Sequence, residues 1–216
     1  MKATGSESNT IVDVAVGVVT HGDGRVLLAE RPQGKPSAGF WEFPGGKFEV
    51  GESPVEALAR ELHEELGVEL DEAHPWITRT HAYPDRTVRL HMYRVLGWHG
   101  EPHGREGQQL SWQDPRAVSV SPLLSANDGI LQSLNLPQLY AITHASKYGI
   151  SEFMARLRTA LDNGVRLIQV RERDMSAGAL TDFARGVVSV AHDHGARVLV
   201  NGVAAIARAA GADGVH

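Results

Sequence analysis

Residues 46–68 read GKFEVGESPVEALARELHEELGV, and both ends of a helix are written into them. Ser53 can accept a hydrogen bond from the first turn, Pro54 suits the first helical position, and Glu56 stands where a capping box needs its carboxylate. Gly67, the residue type that enters the left-handed region most easily, closes the helix after about four turns. At about 100° per residue, Val55, Leu58, Ala59, Leu62 and Leu66 share the face a core would bury, while Glu61, Glu64 and Glu65 share a neighbouring arc. Like charges at i, i+3 and i+4 repel by about 0.2–0.5 kcal/mol per pair, so the arc calls for a cation. The donors are all oxygen and the chain has no cysteine. That set suits a hard divalent ion which shares its shell with water and substrate phosphates. Arg60, next to Glu61, is placed to hold one acid in a fixed rotamer.

An E-x-x-E-E run alone is ordinarily a solvated helix face. The wider spacing is more specific: Gly46, five residues, Glu52, seven residues, Arg60, Glu61, an aliphatic Leu62, one residue, Glu64, Glu65, one residue, Gly67 and an aliphatic Val68. Position by position this resembles the signature of the Nudix hydrolases. The resemblance implies an α/β domain, α+β in detail with a mixed sheet between helices. It also implies a helix-borne Mg²⁺ site, with Mn²⁺ as the substitute, that hydrolyses a nucleoside diphosphate linked to another group.

The flanking sequence supplies strands for such a domain. Ile11 to Val19 is rich in valine, His21-Gly22-Asp23-Gly24 marks a turn, and Arg25 to Ala29 is apolar again, which predicts a β-hairpin. Val88, Leu90 and Met92 alternate with Arg89, His91 and Tyr93 as a half-buried strand does, and a further strand end is expected near Trp98. Residues 99–107 read as a loop, Gln113-Asp114-Pro115 and Ser121-Pro122 as turns, and Asn127 to Leu134 as a short helix. The domain is expected to span residues 8–136.

From about Val14 to Asn127 the chain is most similar to the MutT type, which removes 8-oxo-dGTP from the nucleotide pool. Through that resemblance Arg31 contacts substrate, and Glu42, Phe43, Pro44 and Gly45 form the substrate loop, with Phe43 against the base. Asp85, in a Tyr83–Arg86 turn that also matches, belongs with the substrate, and Lys47 is expected to hold a phosphate. The metal set becomes the Gly45 carbonyl with Glu61, Glu64, Glu65 and Glu106. Catalysis falls to Glu61, Glu65 and Arg60, with Glu61 preferred as general base and Glu65 or Glu106 as alternatives. Asn127 falls where these enzymes read the oxidised purine. Its amide offers one donor and one acceptor group, matching O6 and the N7–H that 8-oxoguanine carries and guanine lacks. Leaving a buried group mispaired costs about 1–3 kcal/mol, enough for selection.

Composition narrows the partners. The chain of 216 residues carries a net charge of −5 and is 42% hydrophobic, the balance of a folded domain. Without a Lys/Arg-rich run it is not expected to bind duplex nucleic acid, whose affinity rests on neutralising phosphates; a small nucleotide held through metal remains open. No disulfide framework exists, the first ten residues lack an apolar core, and no apolar run is long enough to span a bilayer. A cytoplasmic protein with no membrane partner is expected.

Beyond Pro137 the pattern changes to strand and helix in alternation: strand Leu139–Thr143, helix Ser151–Asn163, strand Val165–Val170, helix Ala177–His194, strand Arg197–Val200, then helix Gly202–Ala210 and strand Gly211–His216. This is the pattern of a parallel sheet or barrel. Residues 138–216 resemble the beginning of thiamine phosphate synthase and its TenI-like relatives, a partial (β/α) barrel-like segment. Gln169-Val170-Arg171-Glu172 matches their diphosphate-binding strand end. Arg173 replaces their lysine, and Gly202 replaces the metal-binding aspartate that follows Asn201, so no catalytic role is assigned. The segment holds at most four of a barrel's strands and is expected to be a truncated piece of a longer fusion. An open sheet edge calls for a homodimer through this segment. His192-Asp193-His194 reads as a polar helix end. Two further readings follow from the fusion: hydrolysis of a thiamine-pathway diphosphate, or a non-catalytic sensor of nucleotide or thiamine phosphate.

Overall fold

The computed structural model describes residues 11–84 and 86–216. The chain divides between Asn135 and Leu136 into two compact units. The first contains β1 (Ile11–Val19), β2 (Val26–Glu30), β3 (Trp41–Glu42), β4 (Gly45–Lys47), α1 (Pro54–Leu66), β5 (Glu69–Ala82), β6 (Thr87–His99), β7 (Leu110–Gln113) and α2 (Ser125–Leu134). β1 runs parallel to β6 and antiparallel to β4, and β5 closes the other edge, giving the mixed order β4-β1-β6-β5. A smaller antiparallel sheet has the order β3-β2-β7.

The period-two side-chain alternation of β1 sorts it between two cores. Ala15 and Val19 meet Leu58, Leu62 and Leu66 of α1, whereas Val16 and Val18 meet Ile130 and Leu131 of α2 with Trp41, Phe43 and Met92. The sheet therefore lies between helices. α1 begins as its sequence dictates: Ser53 accepts from the Glu56 N–H, the Glu56 carboxylate accepts from the Ser53 N–H at 2.8 Å, and Gly67 takes φ 69° at the end.

Three expectations change in this unit. The hairpin survives only at its turn, where Thr20 bridges Val26 and the His21 N–H reaches the Arg25 carbonyl at 2.8 Å. Past that rung the strands part, β1 to the mixed sheet and β2 to the small one. Second, β5 was not foreseen. Its DEAHPWITRTHA stretch is polar and carries Pro75, and it forms a strand because it is an edge strand with breaks in register at Glu72 and between Pro75 and Thr78. The Val88–Tyr93 strand and the expected strand end at Trp98 are one element, β6. Third, Val55 is 43% exposed; the buried face of α1 is Ala57, Leu58, Leu62 and Leu66.

The second unit comprises β8 (Ala141–Ile142), α3 (Ala145–Tyr148), α4 (Ile150–Asp162), β9 (Leu167–Val170), α5 (Ala177–Asp193), β10 (Arg197–Val200), α6 (Ala204–Ala210) and β11 (Gly214–Val215). The strands pair in parallel and in chain order, β11-β10-β9-β8, as in a stretch of singly wound barrel. α3 was not expected; buried Glu172 caps it by accepting from the Ala145 and Ser146 N–H groups at 2.7 and 3.3 Å. His192 bonds Asp213 and His194 bonds the Val190 carbonyl and Asp162, so these histidines tie off a helix end. Among the described residues no helix is long and apolar enough to cross a membrane.

Candidate active site

A cavity of about 670 Å³ opens on the first unit. Its lining is part apolar, with Val14, Val88 and Leu90, and part charged, with Arg31, Lys35, Glu42, Lys47, Glu61, Glu65 and Arg86. Tyr83, Pro84 and Leu124 complete one side.

Gly45 and Gly46 let α1 reach this cavity. A Cβ on Gly45, which has φ 143°, would stand 2.1 Å from the Ala15 carbonyl oxygen, and one on Gly46 would stand 2.2 Å from the Glu61 carboxyl. Both are closer than any real Cβ contact, so Gly45 lets β4 lie against β1 and Gly46 leaves room for the Glu61 carboxyl. The Gly45 N–H donates to Glu65 Oε2 at 3.2 Å.

Behind this wall Arg60 gathers the acids. Its guanidinium donates to Glu52 at 2.7 and 3.0 Å, to Glu61 at 2.9 Å, to Glu64 at 3.1 Å and to the Lys47 carbonyl at 3.0 Å. Burial pushes Glu61 up from the usual carboxylate range against the pull of Arg60. Burial pushes Glu65 up to about 7; the Gly45 N–H opposes this and the Glu61 charge adds to it. Both carboxylates are thus raised chiefly by desolvation, and Glu65 is raised further by the Glu61 charge. Their oxygen-only donors fit a hard divalent ion.

Glu61, Glu65, Gly45, Arg31, Glu42, Pro44 and Lys47 thus line one cavity. The remaining predicted residues among those described do not. Glu64 is 57% exposed and turned to Arg60. Glu106 is paired with Lys35 at 2.5 Å. Among the described residues no three acids or histidines stand together as a metal site; Arg60 pairs with both Glu61 and Glu64, and Lys35 with Glu106. Phe43, expected against the base, is 2% exposed in the core beneath α2. Asn127, expected at the purine, is 6% exposed, and its amide donates to the Trp41 carbonyl at 3.0 Å, tying α2 to β3. Phe43, between β3 and β4, packs in the core that contains Ile130 and Leu131 of α2, and Asn127 of α2 is bonded to β3. Asp85 lies outside the described residues.

Arg31 pairs with Glu42 and donates to the Pro36 carbonyl at 2.7 Å, so its charge is held at the wall. Burial outweighs Arg31 in setting Glu42 and pushes it upward. Two residues had no role in the sequence reading. Lys35 sits in a polar turn with no periodicity to mark it. Buried Gln108 accepts from the Glu106 N–H at 2.8 Å and donates to the Glu65 carbonyl at 3.0 Å; only its place next to the Gly107 turn could have singled it out.

Residues 11–134, more than half of the chain, match the NUDIX domain model, and the chain belongs to the Nudix family. Residues 139–216 match the model of thiamine monophosphate synthase. Over 124 residues the chain is 36% identical to an 8-oxo-dGTP diphosphatase of Haemophilus influenzae, covering 57% of this chain and 91% of that protein. Over 123 residues it is 37% identical to a CTP pyrophosphohydrolase of Escherichia coli, covering 57% and 90%. A solved MutT Nudix hydrolase from Burkholderia pseudomallei superposes with a TM-score of 0.52 at 27% identity, over 57% of this chain and 97% of that one. The second unit is 44% identical over 78 residues to a Geobacter sulfurreducens protein named for thiamine-phosphate synthase and spans 37% of its length.

Proposed function

We propose that the first unit hydrolyses 8-oxo-dGTP, and other nucleoside triphosphates with it, to the nucleoside monophosphate and pyrophosphate with Mg²⁺. The observation that carries this reading is the pair of partly buried carboxylates, Glu61 and Glu65, lining the same cavity as Arg31, Lys35 and Lys47. The relatives of known name at similar length are nucleotide diphosphatases. Glu61, Glu65 and the Gly45 carbonyl would hold the ion, with Glu64 and Glu106 joining from the rim; when bound, it neutralises phosphate charge and acidifies a water.

In this reading Lys47 holds the phosphate chain and Glu61 takes the proton of the attacking water. Water adds to the β-phosphorus, the bond from that phosphorus to the bridging oxygen of the α-phosphate breaks, and the monophosphate leaves. Arg60 fixes the rotamer of Glu61, so the base is oriented before substrate arrives. The partner required is a small nucleotide. For the second unit we propose no chemistry, only pairing with a second copy along β8 or β11, where Ile142 and Val215 are exposed.

A pyrimidine substrate is the second reading. It is favoured by the CTP pyrophosphohydrolase relative at 37% identity, and by Phe43 and Asn127 lying away from the cavity wall. Turnover of 8-oxo-dGTP, dGTP, CTP and thiamine diphosphate with Mg²⁺ tests both. Preference for 8-oxo-dGTP supports the first, preference for CTP the second, and thiamine diphosphate alone would defeat both. Glu61→Gln is expected to lower kcat by about 10²–10⁴; unchanged turnover removes the base assignment.

A further inference from the structure

Lys35 sits near the tip of the loop between β2 and β3. The base of that loop is closed by the Arg31 N–H on the Phe40 carbonyl at 2.8 Å and the Gly39 N–H on the Arg31 carbonyl at 3.0 Å. From there the Lys35 ammonium reaches Glu106 Oε2 at 2.5 Å, in the loop between β6 and β7.

The two loops are held differently. The Glu106 loop is mounted on the last turn of α1: the Arg105 N–H donates to the Glu65 carbonyl and the His103 N–H to the Leu66 carbonyl, both at 3.0 Å. The Arg105 guanidinium reaches the His63 carbonyl at 2.9 Å, and Gln108 bridges the Glu106 N–H and the Glu65 carbonyl. The bonds to the Glu65 and Leu66 carbonyls occupy last-turn acceptors that have no partner within the helix. Glu106 is therefore fixed by its backbone next to Glu65, and its carboxylate needs only a rotamer change to turn. Lys35 is the flexible partner, a compact charge on a four-carbon stem. It lines the cavity as well, and its charge pulls Glu42, Glu61 and Glu65 downward together.

We propose that Lys35 is a positioning residue for the phosphate chain, parked on Glu106 in the nucleotide-free protein. Phosphate binding and release of Glu106 toward the Glu61–Glu65 pair are then one exchange. The inference rests on the phosphate-hydrolase reading above. An exposed ion pair is weak, whereas a triphosphate offers the ammonium more negative charge and several oxygens. Once Lys35 leaves, the Glu106 carboxylate is unmatched, with its backbone bridged to that of Glu65 through Gln108, and a divalent cation relieves the charge. The exchange makes metal and phosphate binding cooperative through residues of this chain.

The test is Lys35→Met in the full chain, read by two titrations that need no turnover. Mn²⁺ binding without nucleotide is expected to tighten about two- to fivefold, because a competing cation has gone from Glu106. Inorganic tripolyphosphate, measured by calorimetry, is expected to bind about tenfold or more weakly, the loss of a charge-assisted contact. Lys35→Arg is expected to recover most of the tripolyphosphate affinity. Unchanged Mn²⁺ affinity or unchanged tripolyphosphate affinity in Lys35→Met each overturns the proposal. A wild-type chain that hydrolyses no nucleotide would defeat the functional reading, while these titrations still decide the exchange.

Discussion

At Gly46 a side chain is excluded by a catalytic candidate rather than by the backbone. The Glu61 carboxyl fills the space a Cβ would need, at 2.2 Å. Gly46→Ala is therefore expected to keep the fold, since α1 and both cores are untouched, and to push Glu61 out of place. A shift of about 1 Å in such a group costs about 10²-fold in rate. Steady-state kinetics beside a thermal melt would check this: kcat falls while the melting temperature moves by a few degrees at most. Equal kcat would mean that Glu61 has slack. The motif spacing marked Gly46 and Glu61 separately, but their contact arises only when β4 is laid along α1.

α1 works as an element because its polar face is tied to the loop before it. Arg60 and the Glu49 N–H hold the Glu52 carboxyl down at about 2. An acid lowered in the folded state adds stability above its unfolded value of about 4.3 and loses it as pH falls through the folded value. Between pH 6 and pH 2, the urea midpoint of the wild type is expected to fall toward that of Glu52→Gln. The gap is full at pH 6, narrows below pH 4 and is mostly lost by pH 2, closing only below that; a gap that does not depend on pH would sink the assignment. The helix itself was legible, caps included, because its signals are local. β5 was not, because a polar stretch with Pro75 becomes a strand only through the neighbour it finds in β6.

On the scale of the whole molecule, each unit buries its own apolar cluster, around Leu58, Leu62 and Met92 in the first and around Val187, Val198 and Val200 in the second. Val187 is fully buried on α5, and Val187→Ala should cost the second unit about 1–3 kcal/mol. Thermal unfolding of the wild type is expected in two steps. The variant lowers one of them and leaves nucleotide turnover unchanged; a single shared transition that shifts as a whole, with loss of turnover, would contradict independent cores.

The sequence by itself determined the acidic helix, its caps, the glycine pair and the alternation of strand and helix beyond Pro137, since each depends on spacing along one element. It also marked the acids expected near a cation. Tertiary structure decided which of them share the cavity. Glu61 and Glu65 line it, whereas Glu64 is on the exposed side of Arg60 and Glu106 is paired with Lys35. It likewise placed Phe43 and Asn127 in the body of the fold. The division has a physical cause: helix periodicity and capping are set by neighbours a few residues away. Ion pairing and burial are set by residues that only folding brings together, as with Lys35 and Glu106.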